Sequence, residues 1–219
     1  SMNGPYYRTH FEHKNKPCWS CRILHTKFMK VTDGPYKGQE GEEPEYEQMV
    51  AWGPLISNKD PGAVVMLSDL TDRLGMDANE AGWVVAWVME CYEKGILTKS
   101  DLDGLDMTWG NVEAVRELLL KISRREGIGD LLAEGVMRAS QKVGGEAPNL
   151  GVYVLKGSTP RGHDHRARWS EFLETCCSAT GSTQSLAPVC SADEFFGLPP
   201  FPNIFSPWEV AASNAKMDG

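Results

Sequence analysis

A chain of 219 residues with 41% hydrophobic and 24% charged side chains has enough apolar material for one substantial core or two modest ones, so a folded protein rather than a disordered one is the default expectation. Its net charge of −8 argues against nucleic acid or an anionic membrane as the main partner, since both repel an acidic surface. No apolar run reaches the roughly 20 residues of a membrane span, and no charged-then-apolar leader opens the chain, so a cytoplasmic protein meeting small molecules is expected.

The first residue is Ser1 rather than Met, and the stretch from Ala211 to Gly219 stops in a helix-like pattern without a closing device; both ends are expected to be cut. Residues 1–40 are aromatic, basic and punctuated by Pro and Gly, and predict irregular structure around a site, ending near the turn Asp33-Gly34-Pro35. Glu45 to Trp52 predicts a short helix stopped by Gly53-Pro54. Ala63 to Leu74 predicts a longer one with Gly75 as its stop. Asn79 is the expected N-cap of a helix running to Lys94-Gly95, apolar on most sides and therefore buried.

Asn111 opens a further helix with Arg124 and Arg125 in its last turn, where cations complement the macrodipole. Asp130 starts another, ending at Gly144-Gly145. Composition changes near residue 150, which sets a boundary between a helical domain at 1–149 and the start of a second, mixed or helical domain at 150–219. Val152 to Leu155 predicts a short strand, and Trp169 to Cys177 a helix. The fold class is mainly α.

Six cysteines are too sparse for a disulfide scaffold of a small secreted domain, and a reducing compartment directs attention to metal or redox chemistry. Cys18 and Cys21 form a C-x2-C pair, followed by His25. Zinc would want a second matching pair, a c-type haem would want His where Arg22 stands, and a thioredoxin-like pair would want a βαβ setting. An iron–sulfur cluster held by a local run plus a distant cysteine suits the irregular setting best, beside the bland alternative of two unligated cysteines.

Asp72-Arg73-Leu74-Gly75-Met76-Asp77 has two readings. Gly75 is simply a helix stop and Asp77 the start of the next helix, or the two carboxylates accept paired N–H bonds from a heterocycle. Glu45 and Glu47 are general acids or bases if a cleft buries them, and ordinary helix-start residues otherwise. His163, in a dense run with Asp164, His165 and Arg166, either lines an anionic or metal-containing pocket or sits in a solvated loop.

Taken together, Leu70 to Asp77, Met89 to Leu97, Trp109-Gly110-Asn111, Arg125-Glu126-Gly127, Leu132 to Val136, Leu155-Lys156-Gly157 and His163-Asp164 resemble the aldehyde:ferredoxin oxidoreductase family in order and content. The resemblance implies the helical second and third domains of such an enzyme, with the N-terminal β domain absent. It implies a tungsten (or molybdenum) bis-pterin contacted by Asp72, Gly75 and Asp77, and a 4Fe-4S cluster at Cys18 and Cys21. His25 stands where the family has its third cluster cysteine, and the fourth lies in a motif this chain lacks.

The implied activity is oxidation of aldehydes to carboxylic acids in anaerobic metabolism, with Glu47 ahead of Glu45 as proton carrier and His163 as a further catalytic candidate. Ferredoxin or another electron carrier is the implied partner, within an oligomer or larger complex. The family's metal-proximal histidine after Thr175 is replaced by about Thr183-Gln184, which brings in the tungsten subunit of benzoyl-CoA reductases as an alternative. A cofactor-free, zinc-stabilised helical module is the non-enzymatic alternative. Without the β domain and the last cysteine, the 219 residues alone are expected to be inactive.

Overall fold

The computed structural model describes residues 4–17, 19–20, 26–154, 156–162 and 175–178. The chain divides into two compact units, Ser1–Tyr153 and Val154–Gly219.

The first unit opens with a helix, α1 (Gly4–His10), and a three-stranded antiparallel sheet of β1 (Glu12–Asn15), β2 (Lys27–Lys30) and β3 (Glu40–Glu42), in that order. Glu12 pairs with Lys30 and Asn15 with Lys27, while Phe28 faces Glu42 across the second ladder. The sheet corrects the expectation of irregular structure over residues 1–40. Only Met29 of β2 points into the core, so there is no alternation long enough to read as a strand. Backbone ladders and cross-strand ion pairs such as Lys30–Glu40, at 2.9 Å, hold it instead.

Helices then dominate, as the sequence predicts. α2 (Tyr46–Trp52) begins with a capping box between Glu45 and Gln48, and a 3-10 turn at Pro54–Ile56 follows it. α3 (Pro61–Leu74) is capped by Asp60, whose Oδ1 accepts from Gly62 N–H at 2.8 Å and Ala63 N–H at 3.2 Å. Pro61 at the first helical position loses nothing by lacking an N–H there.

α4 (Ala78–Glu93) starts two residues earlier than expected. Asp77, not Asn79, is its N-cap. The Asp77 carboxylate accepts Glu80 N–H at 2.8 Å, which leaves Asn79 inside the first turn. Val84 to Met89 and Cys91 are all buried, as the all-round apolar pattern requires.

α5 (Val112–Arg124) is capped by Asn111, as expected. The single helix predicted from Asp130 is two: α6 (Ile128–Leu132) and α7 (Gly135–Val143). Gly135, at a left-handed φ of 82°, breaks the run, and the Glu80 carboxylate takes the orphan Val136 N–H of the new first turn at 2.8 Å, holding the start of α7 against α4. α8 (Ala147–Leu150) follows, and the Ala147 carbonyl accepts Trp87 Nε1–H at 2.9 Å. Gly151 to Val154 form no strand, because no neighbouring strand among the described residues pairs with them. The core runs through Met29, Trp52, Leu67, Met89, Leu118 and Leu132, joining the sheet to α2–α6.

In the second unit, Val154 N–H donates to Ser158 O at 2.9 Å and Gly157 N–H to Val154 O at 2.8 Å, closing a turn. Thr175 to Cys177 are helical, and Cys176 and Cys177 are exposed. Among the described residues, no helix is long and apolar enough to cross a membrane.

Candidate cofactor site

The last turn of α3 closes on Gly75, whose φ of 67° lies in the left-handed region that a side chain disfavours. Gly75 N–H donates to Asp72 O and Met76 N–H to Thr71 O, both at 3.1 Å, the paired bonds of a Schellman stop. Two residues later Asp77 caps α4. The tight reversal thus sets Asp72 and Asp77 on the two shoulders of one glycine turn. Both bland roles foreseen for Gly75 and Asp77 are real, and neither uses up the carboxylates.

Asp72 Oδ1 accepts Gln48 Nε2–H at 2.7 Å. Its side chain is open to solvent on one flank, yet burial of the carboxyl against α2 pushes its pKa above the ordinary carboxylate value. The Gln48 hydrogen bond opposes that shift, Glu42 and Asp69 reinforce it, and Lys16 opposes it. Asp77 Oδ1 accepts Glu80 N–H. Each carboxylate therefore commits Oδ1 to the protein, while no hydrogen bond among the described residues engages either Oδ2. Two acceptor oxygens remain for N–H donors of a ligand.

Beside Asp77 lies a pocket of about 170 Å³ lined by Met76, Glu80, Val84, Leu132 and Ala133. Clefts that enclose a whole small ligand are usually at least about 300 Å³, so this one suits an edge of a larger group rather than all of it. A wider groove of about 710 Å³ runs past Tyr36, Asp69, Arg73 and Glu113. Its central polar groups are paired with one another: Arg73 Nε meets Asp69 Oδ2 at 2.8 Å, and Tyr36 O–H donates to Glu113 Oε1 at 2.9 Å. That groove is a network of surface ion pairs, and the Asp72–Asp77 turn is the better site.

Of the two acidic residues ahead of α2, Glu45 is exposed and forms the capping box, while Glu47 is half-buried in the first turn. Gln48 was not foreseen as a site residue. Its capping-box position is legible in Glu45-x2-Gln48, but its contact with Asp72, 24 residues on, has no local signal. Cys18, Cys21, His25 and His163 lie outside the described residues. The residues on either side of the first three are described: Lys16 N–H donates to Thr26 O at 3.0 Å, extending the β1–β2 ladder by one rung, and Lys16 pairs with Glu42 of β3. No group of three or more His, Cys, Asp or Glu side chains among the described residues is arranged to hold a metal.

A family model described as "Aldehyde ferredoxin oxidoreductase, domains 2 & 3" matches residues 1–217. The chain belongs to the aldehyde ferredoxin oxidoreductase family. Membership accounts for the mainly helical architecture, since the matched model covers the second and third domains of these enzymes.

A curated relative, the WOR-like subunit of an aliphatic sulfonate oxidoreductase from Pyrococcus furiosus, is 37% identical over 185 residues, covering 82% of this chain and 29% of the relative. A tungsten-containing aldehyde ferredoxin oxidoreductase from the same organism is 36% identical over 205 residues, covering 93% of this chain and 32% of its own length. The chain thus spans about a third of the length of the curated relatives it matches. A solved structure, the active site complex BamBC of benzoyl coenzyme A reductase with 1,5 dienoyl-CoA, superposes with a TM-score of 0.65. It covers 81% of this chain and 26% of that one, and at 23% identity it shows a shared fold.

Proposed function

We propose that this chain is the helical part of a cytoplasmic tungsten- (or molybdenum-) pterin, iron–sulfur oxidoreductase that converts aldehydes to carboxylic acids and passes electrons to ferredoxin. The observation supporting it is the Asp72–Gly75–Asp77 turn, which leaves one acceptor oxygen open on each shoulder, in a family with tungsten-containing members. The residues fit the pterin: a carboxylate Oδ2 at each side of a tight turn is a complement to N–H donors on a ring edge.

When bound, the pterin-held metal would supply two-electron chemistry and the cluster one-electron relay. Asp72 and Asp77 accept N–H bonds and orient the ring. Glu47, half-buried in the first turn of α2, would take one of the two protons released as aldehyde and water become acid and two electrons pass to the cofactor. In this reading Cys18, Cys21 and His25, between the residues joined by the Lys16–Thr26 rung, would hold the cluster, and His163 is a further catalytic residue.

The likeness to the BamBC complex supports a second reading, in which a larger complex reduces an aromatic acyl-CoA. Anaerobic purification of the full-length protein, with metal analysis, EPR of the reduced sample and paired assays, tests both. Tungsten or molybdenum with iron, and viologen reduction by aldehyde, is expected; turnover of an aromatic acyl-CoA alone favours the second reading. Zinc without iron, tungsten or molybdenum overturns both and leaves the zinc-stabilised module. Turnover by the isolated 219 residues would show that the remainder of the protein is dispensable, against the expectation.

A further inference from the structure

Gln48 is buried at the start of α2 and makes one hydrogen bond with each end of its amide. Its Oε1 accepts Glu45 N–H at 3.0 Å and its Nε2–H donates to Asp72 Oδ1 at 2.7 Å. The first bond settles the orientation of the second. A backbone N–H only donates, so the carbonyl oxygen of the amide must face Glu45 and the NH2 must face Asp72. The capping box of one helix therefore aims a donor at a carboxylate 24 residues along the chain.

That carboxylate needs the donor. Asp72 at the end of α3 is faced by Glu42 of β3 and Asp69 of its own helix, with Lys16 at the end of β1 as the nearby cation. Two like charges and partial burial favour rotation outward or protonation, and either would spoil an acceptor. The bond to Oδ1 resists both and leaves Oδ2 for a ligand.

We infer that Gln48 is a positioning residue for the pterin, acting through Asp72: its capping-box-oriented amide holds Asp72 ionised and in one rotamer, with Oδ2 presented to the pterin N–H. This inference rests on the proposed assignment of Asp72 to the pterin. It also joins the Glu45–Glu47 segment to the cofactor turn, since one side chain terminates both.

The two roles of Gln48 come apart in Gln48→Glu. Glutamate serves equally well at this position of a capping box, so α2 is retained. An ionised glutamate cannot donate and repels Asp72. A protonated one is nearly isosteric with glutamine, with its carbonyl facing Glu45 and its O–H facing Asp72. The introduced carboxyl and Asp72 would then share one proton at mildly acid pH and lose it toward mildly alkaline pH.

The test uses the full-length holoenzyme, wild type and variants, incubated across about pH 5 to 8 and desalted, with retained pterin measured by fluorescence after oxidation and thermal unfolding recorded alongside. Wild type is expected to hold pterin evenly across the range. Gln48→Glu should match it near the acid end and retain about tenfold less near the alkaline end, at an unfolding temperature close to wild type. Gln48→Ala should lose pterin at every pH.

A Gln48→Glu protein with wild-type retention at every pH would overturn the positioning role and leave Gln48 a helix cap. A wild type that contains no pterin would instead overturn the assignment of Asp72, and this inference with it.

Discussion

Gly82 of α4 lies directly beneath Ala51 of α2: a Cβ built on Gly82 would stand 2.6 Å from Ala51 Cβ and 3.1 Å from its Cα. The two helices that supply Asp77 and Gln48 therefore cross at a contact with no room for a methyl group. Helix propensity alone would favour Gly82→Ala by about 1 kcal/mol. Overpacking against a backbone atom costs about 1–3 kcal/mol, so the substitution is expected to lower stability and displace Gln48 from Asp72. Thermal unfolding checks the first effect. The double variant Ala51→Gly with Gly82→Ala restores the space and should recover part of the loss, which a double-mutant cycle measures as coupling.

Tyr36 predicts a specific loss of stability at alkaline pH. Burial first, and then the hydrogen bond to Glu113, pushes its phenol from 10.0 up to about 12. Because the folded value is raised, the neutral phenol stabilises the fold fully below the unfolded value. That contribution fades as pH rises through the window between 10.0 and about 12. Tyr36→Phe should unfold at a lower temperature near neutrality, having lost the Glu113 bond, but show a shallower decline across that window. Parallel slopes for the two proteins would count against the assignment.

Cys91 should be inert. It is fully buried in α4, and burial, with Glu90 beside it, pushes the thiol up to about 11. At pH about 8 only on the order of 0.1% of such a thiol is the reactive thiolate. Iodoacetamide on the native protein, followed by mass spectrometry, should leave Cys91 unmodified until denaturant is added. Prompt native labelling of Cys91 would show that α4 opens.

How much of this was legible in the sequence depended on the length of each signal. α3, α4 and α5 are long, periodic and are followed by Gly or basic residues, and they stand within two residues of where they were expected. Asp77 displaced Asn79 as the cap because both are good capping residues two positions apart, and only the Glu80 bond decides between them. The split between α6 and α7 falls at Gly135, whose φ of 82° is left-handed, and is anchored by Glu80, 56 residues from its partner Val136, while the sheet depends on ladders between strands of three or four mostly polar residues. Such long-range bonds leave no local pattern. The Asp72–Gly75–Asp77 turn was visible as a motif, whereas Gln48 was hidden for the same reason that the sheet was.

Asp77 has two duties that substitution can separate. As N-cap of α4 it accepts Glu80 N–H at 2.8 Å through Oδ1, and in the proposed site its Oδ2 accepts from the pterin. Asp77→Ala removes both, and loss of a cap of this kind costs about 1 kcal/mol. Asp77→Ser keeps a side-chain oxygen that caps nearly as well but removes the second acceptor and the charge. The expected pattern is a measurable drop in unfolding temperature for Asp77→Ala, little change for Asp77→Ser, and severalfold less bound pterin in both full-length variants. The alanine result alone would be ambiguous, because a frayed α4 also disturbs the small pocket formed by Met76, Val84 and Leu132. The serine variant decides: full pterin content with serine at this position would reduce Asp77 to a helix cap and leave Asp72 as the turn's single contact to the cofactor.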